Sequence, residues 1–382
     1  MIENKYVEDL SLEGRKKEID IKIQRIHEML DERSMDAVLL RKHPNYSWIT
    51  AGGKNFVANC FDEGAVAILI TRNYGNHALC NVIEEARLID EEYLPELGFE
   101  LHVYPWQEDQ LLSIIQNIVP DVNKIVSDSS VEDIPARADW IAPLRWQLTD
   151  NEIARYLHLG TVMSGALEDY LATVRPGMTE YEIAGGISAA LWPHNIEQIM
   201  HLVSVDERAD KYRHALPTDK KLENNLLVSI NGRYKGLVVT TSRMVYFGKP
   251  SAEFLQQYRD CCEMENDTIA KAAVGVDEKV LYDTLKQAYV NKGYPTMFDK
   301  HGQGGCQGYW PREYMITPTN HNVIKENQAY CFNPVVDGTK SEDSFIVTNT
   351  GPIMITRPVS FPMLRYNYDD LVLERPDILV VD

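Results

Sequence analysis

Side chains equipped to move protons or grip charged groups gather in the second half of this sequence. His214, in the stretch KYRHALPT, offers an imidazole, the side chain that both takes and returns a proton near neutral pH. Its neighbours Arg213, Asp219, Lys220 and Lys221 suit a solvated surface loop equally well. Glu342, within Lys340-Ser341-Glu342-Asp343, could orient an imidazolium or bind a cationic amine, or could be an ordinary glutamate at a strand end. Arg312 cannot shuttle protons, because guanidinium stays charged, but it can clamp a carboxylate through two parallel hydrogen bonds. Arg243 could do the same, although an arginine on a sheet more often pairs with a protein carboxylate. Tyr309 and Trp310 suit either a pocket wall or a buried interface.

Other chemistries lack their signatures. There is no G-x-S-x-G elbow to present a nucleophilic serine and no H-E-x-x-H pair. Gly302, Gly304, Gly305 and Gly308 are followed by no Lys-Ser/Thr, so they read as a tightly packed turn rather than a phosphate loop. Cys60, Cys80, Cys261, Cys262, Cys306 and Cys331 include no CxxC pair, and most are expected to be buried reduced thiols.

The elements that position these groups fall into two blocks, as 382 residues favour two domains. A helix is expected over 13–33 from the spacing of Ile19, Ile23, Ile26, Met29 and Leu30. Strands are expected at 37–40, 46–50, 65–71, 101–104 and 124–127, with helices at 82–89 and 108–118, the alternation of an α/β domain. Thr149-x-x-Glu152 is a capping box that opens a new periodic helix, so the boundary is placed there, giving domains 1–147 and 148–382. A second box, Thr179-x-x-Glu182, completes a helical hairpin. A similar hairpin about one hundred residues on (helices 251–273 and from 278) hints at duplication. Strands at 202–205, 226–230, 237–247, 329–336 and 344–348 make the second domain α+β, while 357–382 shows no clear period.

The net charge of −19 argues against nucleic-acid and anionic-membrane partners. No apolar run approaches the ~20 residues of a spanning helix, and the start shows no leader-like segment, so a cytoplasmic location is expected.

Segment 229–243, SINGRYKGLVVTTSR, resembles the signature D-x-G-A-x-Y-x-G-Y-x-S-D-x-T-R of the creatinase and aminopeptidase P family, with Tyr234, Gly236 and Arg243 in register. LTDNEIARYLHLG, HGQGGCQGYWPRE (for H-G-x-x-H-x-x-G-x-x-x-H-[ED]), NQAYCFNPVV and GTKSED follow in family order, and HPNYSWITAGG is similar to the family's N-x-x-Y-L-T-G. The resemblance implies an α+β C-terminal pita-bread domain behind a smaller α/β creatinase-type N-terminal domain. It also implies a homodimer in which one subunit's N-terminal domain closes the other's pocket.

Family peptidases hold two divalent cations on two Asp, one His and two Glu. Here those positions fall on Ser229 (or Asn231, two residues on), Thr240, Gly305 and Asn333, leaving only Glu342. Neutral side chains cannot offset the dehydration of two dications, so no metal and no other cofactor is expected. The reading is a metal-independent, creatinase-like hydrolase of a C–N bond in a small carboxylate-bearing amine, amidine or ureido compound. His214 and Glu342 would be catalytic, and Arg243, His301, Tyr309, Arg312, Glu313 and Asn333 would bind substrate. The alternatives are an Xaa-Pro dipeptidase or aminopeptidase with an altered metal site, and a catalytically silent binding protein.

Overall fold

The computed structural model describes residues 5–368 and 371–382, which divide into two compact units. One runs to Glu152 and adds Lys235–Leu237; the other comprises Ile153–Tyr234 and Val238–Asp382. Residues 1–4 of the expected leaderless start lie outside the described residues.

The N-terminal unit opens with α1 (Leu12–Arg33), capped by Ser11, whose hydroxyl accepts from the Gly14 N–H. Ile19, Ile26, Met29 and Leu30 are its buried stripe. There follow β1 (Ala37–Lys42), α2 (His43–Ile49), β2 (Glu63–Thr71), β3 (Asn76–Asn81), α3 (Glu85–Asp90), β4 (Glu100–Tyr104), α4 (Leu111–Ile118), β5 (Ile125–Ser127) and α5 (Ala138–Ile141). The strands form one sheet in the order β4-β3-β2-β1-β5. The β1–β5 and β3–β4 pairs are parallel, and β1–β2 and β2–β3 are antiparallel. Leu39, Leu69, Leu79, Ile115 and Ile125 share its core.

Of residues 46–50, expected as a strand, 46–49 belong to α2 instead and Thr50 is its C-cap. Pro44 sits in its first turn, where the missing N–H costs nothing, and all seven residues are buried, so no contrast between faces marks the helical period.

The second unit's elements start from α6 (Asp150–Leu171), whose Thr149–Glu152 box closes in both directions at 2.8 and 3.2 Å. They continue as α7 (Glu180–Leu191), β6 (Glu197–Val205), α8 (Glu207–Lys211), β7 (Asn225–Tyr234), β8 (Leu237–Phe247), α9 (Ala252–Lys271) and α10 (Glu278–Asn291). Then come β9 (Gly304–Gln307), β10 (Tyr314–Met315), β11 (Gln328–Phe332), β12 (Val335–Val336), β13 (Thr339–Lys340), β14 (Asp343–Thr348), β15 (Gly351–Met354), β16 (Met363–Tyr368), β17 (Leu371–Pro376) and β18 (Leu379–Val381). Two sheets dominate, β18-β8-β7-β6 and β10-β9-β11-β14-β15. Every pair in the second is antiparallel, while β18 adds to β8 in parallel. The tail, read from sequence as having no clear period, forms the antiparallel pair β16–β17 followed by β18; β16 alternates exposed and half-buried residues, while in β17 Glu374 and Arg375 interrupt the apolar run.

The β7–β8 turn is what aligns the site. Lys235 and Gly236 both adopt left-handed backbone (φ 48° and 82°), the geometry of a two-residue hairpin loop that glycine eases. It sets Asn231 against Thr240 and Ser229 against Ser242, as the hydrogen bonds between those side chains at 2.7 and 2.6 Å show.

Candidate active site

A cavity of about 230 Å³ in the second unit takes its walls from β6, β7, β8 and β10 and from the segments around residues 301, 312, 333 and 341. Its chemical centre is Glu342, which is buried. Lys340 Nζ lies 2.8 Å from one carboxylate oxygen and Arg312 Nη2 3.2 Å from the other. Ser242 Oγ donates to the Lys340-bound oxygen at 2.7 Å, and Lys340 also donates to Ser229 Oγ at 3.1 Å. Burial alone would raise the Glu342 carboxyl pKa; Lys340 first and Arg312 next outweigh it and hold the carboxyl below its ordinary value. Two cations thus face one anion, leaving the pocket lining net positive.

Beside this triad lies a neutral network. Thr240 Oγ1 donates to Asn231 Oδ1 at 2.7 Å and accepts from Gln307 Nε2 at 2.7 Å, while Gln307 Oε1 accepts from Ser344 Oγ at 2.6 Å. On the far wall Asn333 Nδ2 donates to His301 Nε2 at 3.1 Å. Burial, and then the Lys340 ammonium, push the His301 imidazole down to about 3, so it stays neutral and keeps an acceptor nitrogen. Asn333 Oδ1 is buried with no hydrogen-bond partner. An orphaned acceptor of this kind is costly unless a ligand N–H meets it. The exposed ring of His214 packs edge-on against His301, with centroids 5.3 Å apart. The cavity therefore offers an acceptor for an amine, cations for a carboxylate and an exposed imidazole to carry a proton.

The residues present do not fit the two dications that the family resemblance implies. Asn231 and Thr240 are neutral and already bonded to each other, and Glu342 has both oxygens engaged by cations. The histidine position is closed sterically as well: a Cβ on Gly305 would stand 2.1 Å from the Tyr314 carbonyl oxygen, because β10 pairs directly across Met315 and Gly305. A dication entering here would meet two fixed positive charges and one bound carboxylate.

Of the residues singled out in the sequence, His214, His301, Arg312, Asn333 and Glu342 line this cavity together. Glu342 does not orient His214 as expected, since its oxygens are taken by Lys340, Arg312 and Ser242. Arg243 does not reach substrate. It is wholly buried, with Nε 2.7 Å from Glu168 and Nη1 3.0 Å from Asp343, and is a structural ion pair of the core. Glu313 turns its carboxylate onto the Tyr309 and Trp310 N–H groups at 2.9 and 3.2 Å, fixing the turn that presents Arg312. Tyr309 is buried in that turn, and neither it nor Glu313 lines the cavity.

Sequence reasoning missed Lys340 and Gln307. The signal for Lys340 was its place two residues before Glu342, which puts both side chains on one face of an extended segment. The six cysteines are free, five of them buried, and burial pushes the Cys80, Cys261, Cys262 and Cys331 thiols up to about 12.

Comparison with known proteins agrees with this architecture. The model of metallopeptidase family M24 matches residues 155–349. An Xaa-Pro dipeptidase of Pyrococcus horikoshii is 23% identical over 365 residues, spanning 88% of this chain and 97% of that protein. Among solved structures, an Xaa-Pro dipeptidase from Bacillus anthracis superposes with a TM-score of 0.74 at 19% identity, over 95% of this chain and all of that one. An X-Pro aminopeptidase from Thermotoga maritima gives 0.73 at 18% identity, over 94% and 99%. The fold is that of these enzymes, a smaller α/β unit followed in sequence by an α+β pita-bread unit.

Proposed function

This chain belongs to metallopeptidase family M24, and from that membership we propose that it is a hydrolase working without the family's dications on small carboxylate-bearing amides, Xaa-Pro dipeptides foremost. The observation that carries the proposal is the ion triad: the glutamate that remains from the donor set is held by Lys340 and Arg312, protein cations where the family would place metal ions. The choice of dipeptide follows the activity named for the relatives. The net-positive lining and the unpartnered Asn333 Oδ1 support a ligand carrying both a carboxylate and an N–H.

The chemistry then falls to this chain's own side chains. His214 takes a proton from water as the water oxygen bonds to the carbonyl carbon, and returns it to the nitrogen as the C–N bond breaks. Lys340 uses two of its three donors on Glu342 and Ser229, and its third N–H is free to meet the developing oxyanion. Arg312, anchored to Glu342 and the Pro311 carbonyl, adds the second positive charge that draws the substrate carboxylate. Neutral His301 holds Asn333 in place for the substrate N–H. A homodimer is part of the same proposal, and a monomeric mass in solution would remove it.

The test is a substrate screen of the purified chain with and without a strong chelator, with Xaa-Pro dipeptides set beside guanidino and ureido acids. Dipeptide hydrolysis indifferent to chelator is expected. Hydrolysis that depends on added dications would overturn the metal-free mechanism, and turnover of the guanidino or ureido acids alone would move the substrate class to amidines. Binding without turnover of any of them would leave a recognition protein.

A further inference from the structure

Among the described residues, one group of three metal-type donors converges, and it lies in the N-terminal unit: His77, Glu100 and His102. We propose that this cluster binds one divalent transition-metal ion, zinc above others, and thereby staples the sheet's edge strand β4 to β3. The parallel register sets Glu100 opposite His77 and His102 opposite Leu79. The two-residue period of β4 then puts Glu100 and His102 on the face that His77 shares.

The geometry is that of a ligand set. His77 Nδ1 lies 3.0 Å from His102 Nε2 and 3.6 Å from a Glu100 oxygen, and the other Glu100 oxygen is 3.7 Å from His102 Nε2. Donors each about 2.0–2.1 Å from a tetrahedral ion stand roughly 3.3 Å apart, so small adjustments bring all of them to one centre.

The tautomer is set for it as well. His77 Nε2 donates to the Tyr74 carbonyl at 2.9 Å, which leaves Nδ1 unprotonated and aimed at the cluster. Outer-shell carbonyls fix metal-ligating histidines in this way. A hydrogen bond from His102 to His77 uses only two of the three donors, and Glu100, 3.6 and 3.7 Å from them, pairs with the imidazoles only when they are protonated; an ion engages all three at once. Two imidazoles and a carboxylate suit zinc, and the mixed burial, with His77 enclosed and Glu100 69% exposed, leaves an entry path and room for a water ligand.

Titrating the metal-stripped full chain with Zn²⁺, and in parallel with Co²⁺ to read its ligand-field absorption, tests this. One equivalent of Zn²⁺ per chain is expected, with a rise in melting temperature. His102→Ala and Glu100→Gln, both on the accessible edge strand, should weaken binding at least about tenfold to a hundredfold and abolish the tetrahedral Co²⁺ bands. Asn333→Ala, in the other unit, should leave zinc uptake unchanged. Failure of the parent chain to take one equivalent, or parent-like affinity in both edge-strand variants, would overturn the assignment.

Discussion

The two places among the described residues where a metal is sought differ in an instructive way. In the C-terminal unit the fold implies two dications, yet the donors are gone and protein cations stand over the one carboxylate that remains. In the N-terminal unit nothing in the family pattern asks for a metal, yet two imidazoles and a carboxylate meet across adjacent strands. A fold preserves the scaffold of a site while the side chains decide what it can hold. On the proposed reading, Lys340 and Arg312 stand as fixed cations in the C-terminal pocket, which would keep its attraction for anions and leave water activation to side chains rather than to a metal.

That contrast can be broken or sharpened by mutation. The largest effect is expected from Glu342→Ala, which leaves Lys340 and Arg312 without their shared anion in a buried site. Loss of one partner from such a group costs about 3–5 kcal/mol, read as a fall in the denaturant midpoint, while Zn²⁺ uptake by the folded variant should match the parent's. A variant as stable as the parent would show that the triad is not what holds the pocket. Next comes His214→Ala, expected to lower turnover about 10²- to 10⁴-fold with an unchanged melting temperature, since the side chain is exposed and in the proposed mechanism carries the proton. Unaltered kcat would remove it from the mechanism.

A smaller effect is expected from pH. The His301 imidazole is pushed from 6.5 to about 3, so between those values the unfolded chain binds more protons and stability falls as pH falls. Glu342, held below its ordinary value, adds a loss in the same direction at lower pH. His301→Gln should flatten the upper part of this decline when urea midpoints are compared at neutral and mildly acidic pH; an unchanged slope would mean that other groups carry it.

The smallest change is expected from restoring acids alone. Thr240→Asp combined with Asn333→Glu should bind no more Mn²⁺ than the parent in equilibrium dialysis, because Lys340 and Arg312 remain and Gly305 has no room for a histidine. Tight uptake of two ions would show that missing acids were the sole obstacle.

Much of this was legible in the sequence because the signals were local. The capping boxes at Thr149 and Thr179 fix helix starts within a single turn, and the degenerate motifs kept their order and spacing. His214, His301, Arg312, Asn333 and Glu342 could be gathered from motif position alone. What was not legible depended on partners distant in sequence. Arg243 reads equally as a substrate clamp or as the partner of a protein carboxylate, and only the fold decides, by bringing Glu168, 75 residues before it, onto its guanidinium. Glu313 looked like a pocket acid until its carboxylate met the backbone of its own turn. Lys340 announces itself only once the segment containing it is seen to be extended. The histidine cluster rests on strand pairing, because His77 and His102 are 25 residues apart and meet only through the β3–β4 register. Residues 46–50 failed for another reason, since a short helix buried on all sides carries no periodic pattern.

The most direct measurement is the metal content of the parent and of His102→Ala after incubation with Mn²⁺, Co²⁺ and Zn²⁺ and removal of unbound ion. With the pocket occupied by protein cations, the parent should retain at most one equivalent per chain and His102→Ala well under one. Two equivalents retained in both proteins would place dications in the pocket and contradict the account.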